Sequence, residues 1–285
     1  MGRINVRMPA PEGIGAGQTA TFKLPIGRRF HTLYLTGTAA TTGIGVSDLS
    51  EIRELANAKV IQRFTGSERN SMNLFDGRVD AAVDTNNFIL ALPFDRYDLM
   101  TKAGEEETAL NTGSVDPATG KVISSLSLEI DVAATGFVGA PSLTLSADQS
   151  EALPGGPGTV PHILRSTRDF GGAGEYDISD LPRGGDTTLA LDRIFFKPSA
   201  NDISGVKIES DQYTIFERLK ALNSRVQTDG IRVPQSGWFV VDRTEWGYGG
   251  DPIPLVGPQD FRHKLTLTGA ATVTILSCYI GKLGD

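Results

Sequence analysis

The stretch Leu126-Ser127-Leu128-Glu129-Ile130-Asp131-Val132 alternates apolar and polar residues without a break. Successive side chains of a strand point to opposite faces, so this order puts Leu126, Leu128, Ile130 and Val132 on one face of a strand. The same period of two recurs in Leu33-Tyr34-Leu35-Thr36, Leu143-Thr144-Leu145, Thr188-Leu189-Ala190-Leu191, Lys264-Leu265-Thr266-Leu267-Thr268 and Thr272-Val273-Thr274-Ile275-Leu276. Residues 87–92 and 238–241 add short apolar runs of strand length. Between the runs stand clusters of Gly, Pro, Asn and Asp; 33 Gly and 15 Pro among 285 residues leave little room for long helices. Many short alternating runs joined by turn residues predict an all-β protein built from sandwiches.

The strand vocabulary repeats in order. Leu24-Pro25-Ile26-Gly27 and Leu181-Pro182-Arg183-Gly184 each precede a first alternating run. Residues 52–64 and 206–216 each read as strand, tight turn and strand, with Asn57 and Asp211 at the turns. Asp48-Leu49-Ser50-Glu51 also has the form of a capping box that could open a helix over 49–63, but the parallel with the β-branched and aromatic stretch 206–216 favours a hairpin. A short helix follows each hairpin. The first is expected over 67–75 and ends at Asp76-Gly77; the second places Leu219, Leu222 and Val226 on one face and begins a little after Ile215. Asn87-Phe88-Ile89-Leu90 then matches Gly237-Trp238-Phe239-Val240, and each half closes on two alternating strands, 122–132 with 142–146 and 263–269 with 272–280. The offset between matched elements falls from about 157 to about 140, as it does in duplicated domains with different loop lengths.

These matches divide the chain into a flexible N-terminal arm (1–20), a first sandwich (21–150), a Pro/Gly-rich crossing (151–174) and a second sandwich (175–285). The formal net charge of −7 comes without a basic stripe, so direct nucleic-acid binding is not expected. Cys278, the single cysteine, lies in an apolar run and reads as a small buried hydrophobe, which excludes an intrachain disulfide. The N-terminus lacks the apolar core of a signal peptide and no run reaches the ~18 apolar residues of a membrane span, so a protein not exported by the classical route is expected.

Catalytic patterns are missing. The histidines His31, His162 and His263 are far apart, with His31 and His263 expected at surface or edge positions, and neither a nucleophile elbow nor a phosphate loop occurs. Glu105-Glu106-Glu107 with Asp95 and Asp98 forms a candidate calcium site, because hard cations take several carboxylate oxygens, or else a solvated loop. Asp95 with Asp98 could also serve as a glycosidase pair. Trp246 and Tyr248, in a Gly-rich loop, suit either a ligand platform or an interface anchor.

Two tandem sandwiches of about 140 residues, each with a strand hairpin and a short helix, joined by a Pro/Gly crossing and lacking a catalytic set, resemble one family. It is that of the double jelly-roll major capsid proteins of tailless, membrane-containing icosahedral phages, in its small corticovirus-type form. The stretches that carry the resemblance are 52–76, 87–96, 126–132, 192–227 and 235–244. The resemblance implies two eight-stranded jelly rolls with a short helix in each. It also implies a non-enzymatic homotrimer that fills a pseudo-hexagonal tile, meets neighbouring capsomers and a penton or vertex protein, and surrounds an internal membrane in a virion assembled in the host cytoplasm. In that setting Arg3 and Arg7 of the arm would face anionic headgroups, and Trp246 and Tyr248 would sit at interfaces. The alternative function is a carbohydrate-binding or glycan-cleaving protein of two β-sandwich domains.

Overall fold

The computed structural model describes residues 2–39, 43–84, 86–97, 99–135 and 141–284. It is an all-β double jelly roll. The first roll comprises β1 (Ile4–Arg7), β2 (Thr19–Leu24), β3 (Arg28–Ala39), β4 (Leu49–Ala56), β5 (Lys59–Phe64), α1 (Gly66–Phe75), β6 (Asn87–Pro93), α2 (Lys102–Glu106), β7 (Leu110–Asn111), β8 (Leu126–Val132) and β9 (Pro141–Glu151). The second comprises β10 (Val160–Phe170), β11 (Gly174–Ile178), β12 (Ala190–Pro198), β13 (Ile203–Ser210), β14 (Tyr213–Leu219), α3 (Lys220–Gln227), β15 (Phe239–Asp242), β16 (Ile253–Pro254), β17 (Phe261–Leu267) and β18 (Ala271–Gly281).

The two rolls repeat strand for strand. In the first, the order β1-β9-β3-β6 stands against β5-β4-β8-β2; in the second, β10-β18-β12-β15 stands against β14-β13-β17-β11. The two-residue strands β7 and β16 attach to β3 and β12 at matching places. Register irregularities recur as well: Phe30/Thr32 and Leu191/Arg193, Leu49/Glu51 and Ile203/Gly205, Glu54/Leu55 and Ile208/Glu209. Bulges of this kind place an extra residue at a fixed point of a strand, so three shared bulges mark shared ancestry of the two halves more sharply than composition does.

The hairpin turns are equivalent down to their hydrogen bonds. Asn57 and Asp211 both take positive φ, which Asn and Asp tolerate. The Asn57 Oδ1 accepts from the backbone N–H of Ser124 (2.8 Å) and Ser125 (3.2 Å), and Asp211 Oδ1 accepts from Gln259 (2.9 Å) and Asp260 (2.9 Å). Each turn thereby pins the start of β8 or β17. The helices correspond too: Asn73 Nδ2 of α1 donates to the Ala91 carbonyl of β6 (2.7 Å), and Asn223 Nδ2 of α3 to the Val240 carbonyl of β15 (2.7 Å). This fixes Trp238 as the counterpart of Ile89, one residue off the match read from sequence. A capping box sets the start of α1, with Thr65 Oγ1 accepting from Glu68 N–H (3.1 Å) and Glu68 accepting from Thr65 N–H (2.8 Å).

Two boundaries are corrected. The arm expected over 1–20 is ordered in part: Ile4–Arg7 pairs antiparallel with β9, and Met8 is buried. The crossing expected over 151–174 holds the 11-residue strand β10, paired along its whole length with β18. β10 also meets β5 in parallel, Ile163 opposite Gln62, so one sheet of each roll joins into a single nine-stranded sheet.

One core position breaks the equivalence. Glu54 stands where the second roll has Ile208; it is buried, its Oε2 has no hydrogen-bond partner among the described residues, and burial pushes its carboxyl up to about 8. With the folded value above the ordinary one, its contribution to stability is lost as pH rises through 8. Glu54→Ile is therefore expected to stabilise the fold by about 1–3 kcal/mol and to flatten the decline that runs from the ordinary carboxyl range up to about 8, read by thermal melts from about pH 5 to 9. A lower melting temperature throughout would contradict this.

Candidate assembly interface

The seam between the rolls is built by α1. Its C-terminal Phe75 lies edge-on to Phe195 of β12 (centroids 5.5 Å), which lies edge-on to Trp238 before β15 (6.1 Å). Asp76, which follows α1, binds Arg193 of β12, and Arg165 of β10 binds Glu68 of α1 (3.0 Å). Phe195, Trp238, Val240, Leu276 and Cys278 leave the second roll's own core and join the first roll's hydrophobic cluster. The outward face of one roll is thus sealed by the helix of the other. Cys278 is buried here as expected, and burial pushes its thiol up to about 12.

The acidic cluster lies beside this seam and is filled by the N-terminus. The Arg3 guanidinium reaches Asp95 (3.3 Å), Glu105 (3.0 Å) and Glu106 (2.9 Å), while Arg29 also meets Glu106 (3.3 Å). Glu107 turns away to bind Arg96, which also contacts Asp192 (3.4 Å) across the seam. Asp98 lies outside the described residues. Among the described residues no three His, Cys, Asp or Glu side chains group to hold a metal ion. Of the calcium candidates, Asp95, Glu105 and Glu106 surround the Arg3 guanidinium. The expectation that Arg3 faces lipid headgroups is corrected by the same contacts, and Arg7 alone of the two stays exposed without an ion pair among those described. Sequence reasoning could not join Arg3 to acids about a hundred residues away.

Burial pushes the Asp95 carboxyl up to about 6, against the opposing pull of Arg78 and Arg3. A carboxyl raised in the fold contributes stability that is lost as pH rises through that value. Removing the opposing cation in Arg3→Ala is expected to move the Asp95 midpoint above 6 in a carboxyl NMR titration; an unmoved midpoint would show that Arg3 is not its counter-ion.

The three histidines are buried, against the expectation of surface positions for His31 and His263. Burial, with Arg3 nearby, lowers His31 to about 4; burial lowers His263 to about 4 between the rings of Phe196 and Phe261. They are neutral packing residues at neutral pH. Trp246 and Tyr248 are exposed at 63% and 67%, on a loop braced against the first roll by the Thr101 hydroxyl donating to the Tyr248 carbonyl (3.1 Å). Asp95 is buried beside Arg3 (3.3 Å) and Arg78 (4.0 Å).

The chain matches two family models: the N-terminal domain of viral coat protein P2 over residues 5–150 and its C-terminal domain over 160–283. No curated protein sequence matches. Among solved structures it is similar to the major capsid protein P2 from bacteriophage PM2, with TM-score 0.84, 17% identity, and 100% of this chain and 99% of that one covered. The STIV MCP follows, with TM-score 0.70, 10% identity and coverage of 99% and 97%. The Faustovirus major capsid protein has TM-score 0.63, 6% identity and coverage of 98% and 90%.

Proposed function

The chain belongs to the viral coat protein P2 family and is a major capsid protein, and from that premise we propose that three copies close into a capsomer presenting six jelly rolls. The single observation that carries this is the duplication itself. Two rolls with the same strand order and bulges, joined by one heterologous contact, leave one unsatisfied end on each roll. A heterologous contact repeated by rotation closes into a ring, and three chains supply six similar wedges. The ring is the tile of an icosahedral shell. Its lateral faces meet neighbouring capsomers and a penton or vertex protein, its inner side faces a membrane, and assembly takes place in the host cytoplasm. The role is mechanical, without catalysis, and sugar binding has no support from the family. Electron microscopy of the purified protein tests the reading: flat particles with hexagonal outlines are expected, and isolated two-lobed particles at all concentrations would overturn it.

A further inference from the structure

We infer that the contact between copies reproduces the seam inside the chain, with α3 of one copy seated on the β3–β6 face of the next and β14 pairing in parallel with the next copy's β1. This rests on the capsomer reading above and names its interface.

The residue equivalences define both sides. The seam inside the chain places α1 over β12 and β15 and joins the edge of β5 to β10. The counterpart of α1 and β5 is α3 and β14; the counterpart of β12, β15 and β10 is β3, β6 and β1. Those counterparts are the ends left over. Among the described residues β14 pairs only with β13, and β1 only with β9. Asn5 and Phe216 correspond to Ile163 and Gln62, the pair that joins β10 to β5.

Exposure follows the same rule. On α1, Met72, Phe75 and Asp76 are buried; their counterparts on α3, in the frame set by Asn73 and Asn223, are Leu222, Arg225 and Val226, and all three are exposed. Trp238 is buried under α1, whereas its counterpart Ile89 is 46% exposed. The counterpart of Phe195 is Tyr34, half-buried and facing outward. The loop before β6 presents Val79 and Val83 to solvent, where the loop before β15 closes on α1 through Val233 N–H donating to the Phe75 carbonyl (2.8 Å).

Charge adds direction. Where α1 carries Phe75, α3 carries Arg225; where the receiving sheet of the second roll has Cys278, the first has Asp148, whose carboxylate accepts from the Tyr34 hydroxyl (3.2 Å). The aromatic contact of the internal seam becomes a guanidinium over Tyr34 and against Asp148, an arrangement suited to both cation–π and ionic attraction. The occupant is therefore a second copy of this chain.

Mass measured by light scattering after gel filtration tests the assignment. Leu222→Asp with Val226→Asp, both at exposed positions, is expected to reduce trimer to monomer with an unchanged circular dichroism spectrum. Asp148→Arg is expected to weaken the trimer at least tenfold, and its combination with Arg225→Asp to restore it. A trimer that persists in the double aspartate variant, or a charge swap that repairs nothing, overturns this interface and leaves the capsomer reading standing. A wild-type monomer overturns the capsomer reading itself.

Discussion

Phe75→Ala is expected to destabilise the chain by about 3–5 kcal/mol and to uncouple the two rolls. Phe75 is fully buried at the end of α1, and its ring is the first in a row that runs through Phe195 to Trp238. Truncation removes apolar area from the seam and leaves a cavity between two sheets that cannot easily collapse, because β10 and β5 hold them together on one side. Scanning calorimetry should show a lowered first transition that separates from a later one, with a single transition expected of the wild type. A single transition shifted by less than about 1 kcal/mol would mean that α1 does not hold the rolls together.

Arg232→Met is the second large effect, at about 3–5 kcal/mol. Arg232, in the loop that follows α3, is buried; its guanidinium binds Asp242, donates to Asp229 Oδ2 (2.7 Å) and donates to Thr244 Oγ1 (2.8 Å). Asp242 is fully buried and also accepts from Thr244 N–H (2.8 Å). Removing the cation leaves a carboxylate sealed from water, which costs far more than the ion pair contributes. Adding Asp242→Asn to the same chain should recover a good part of the loss, since the charge is gone and an acceptor for Thr244 remains. Denaturant titrations of the single and double variants measure both. Equal stabilities for Arg232→Met and the double variant would contradict the network.

The hairpins at Asn57 and Asp211 were legible because both of their signals are local: period-two alternation on each side and a turn residue that accepts positive φ. The order of the two halves was legible for the same reason. What escaped was decided by partners distant in sequence. Nothing within Ile4–Arg7 marks a strand until β9 lies beside it, and Pro161 with the polar run Thr167-Arg168-Asp169 hides β10 until β18 supplies its register. Glu105 and Glu106 resemble a cation site because they are one; only the pairing of Arg3 across the fold identifies the cation as part of the chain. His31 and His263 sit at strand starts that happen to face inward, a property set by sheet stacking rather than by neighbouring residues.

In the capsomer proposed above, the duplicated roll closes a ring of three chains. The mass of the purified protein in solution tests it most directly. A discrete species of about three times 30.4 kDa that persists on dilution to micromolar concentration is expected, whereas a stable monomer or dimer under the same conditions would contradict the ring.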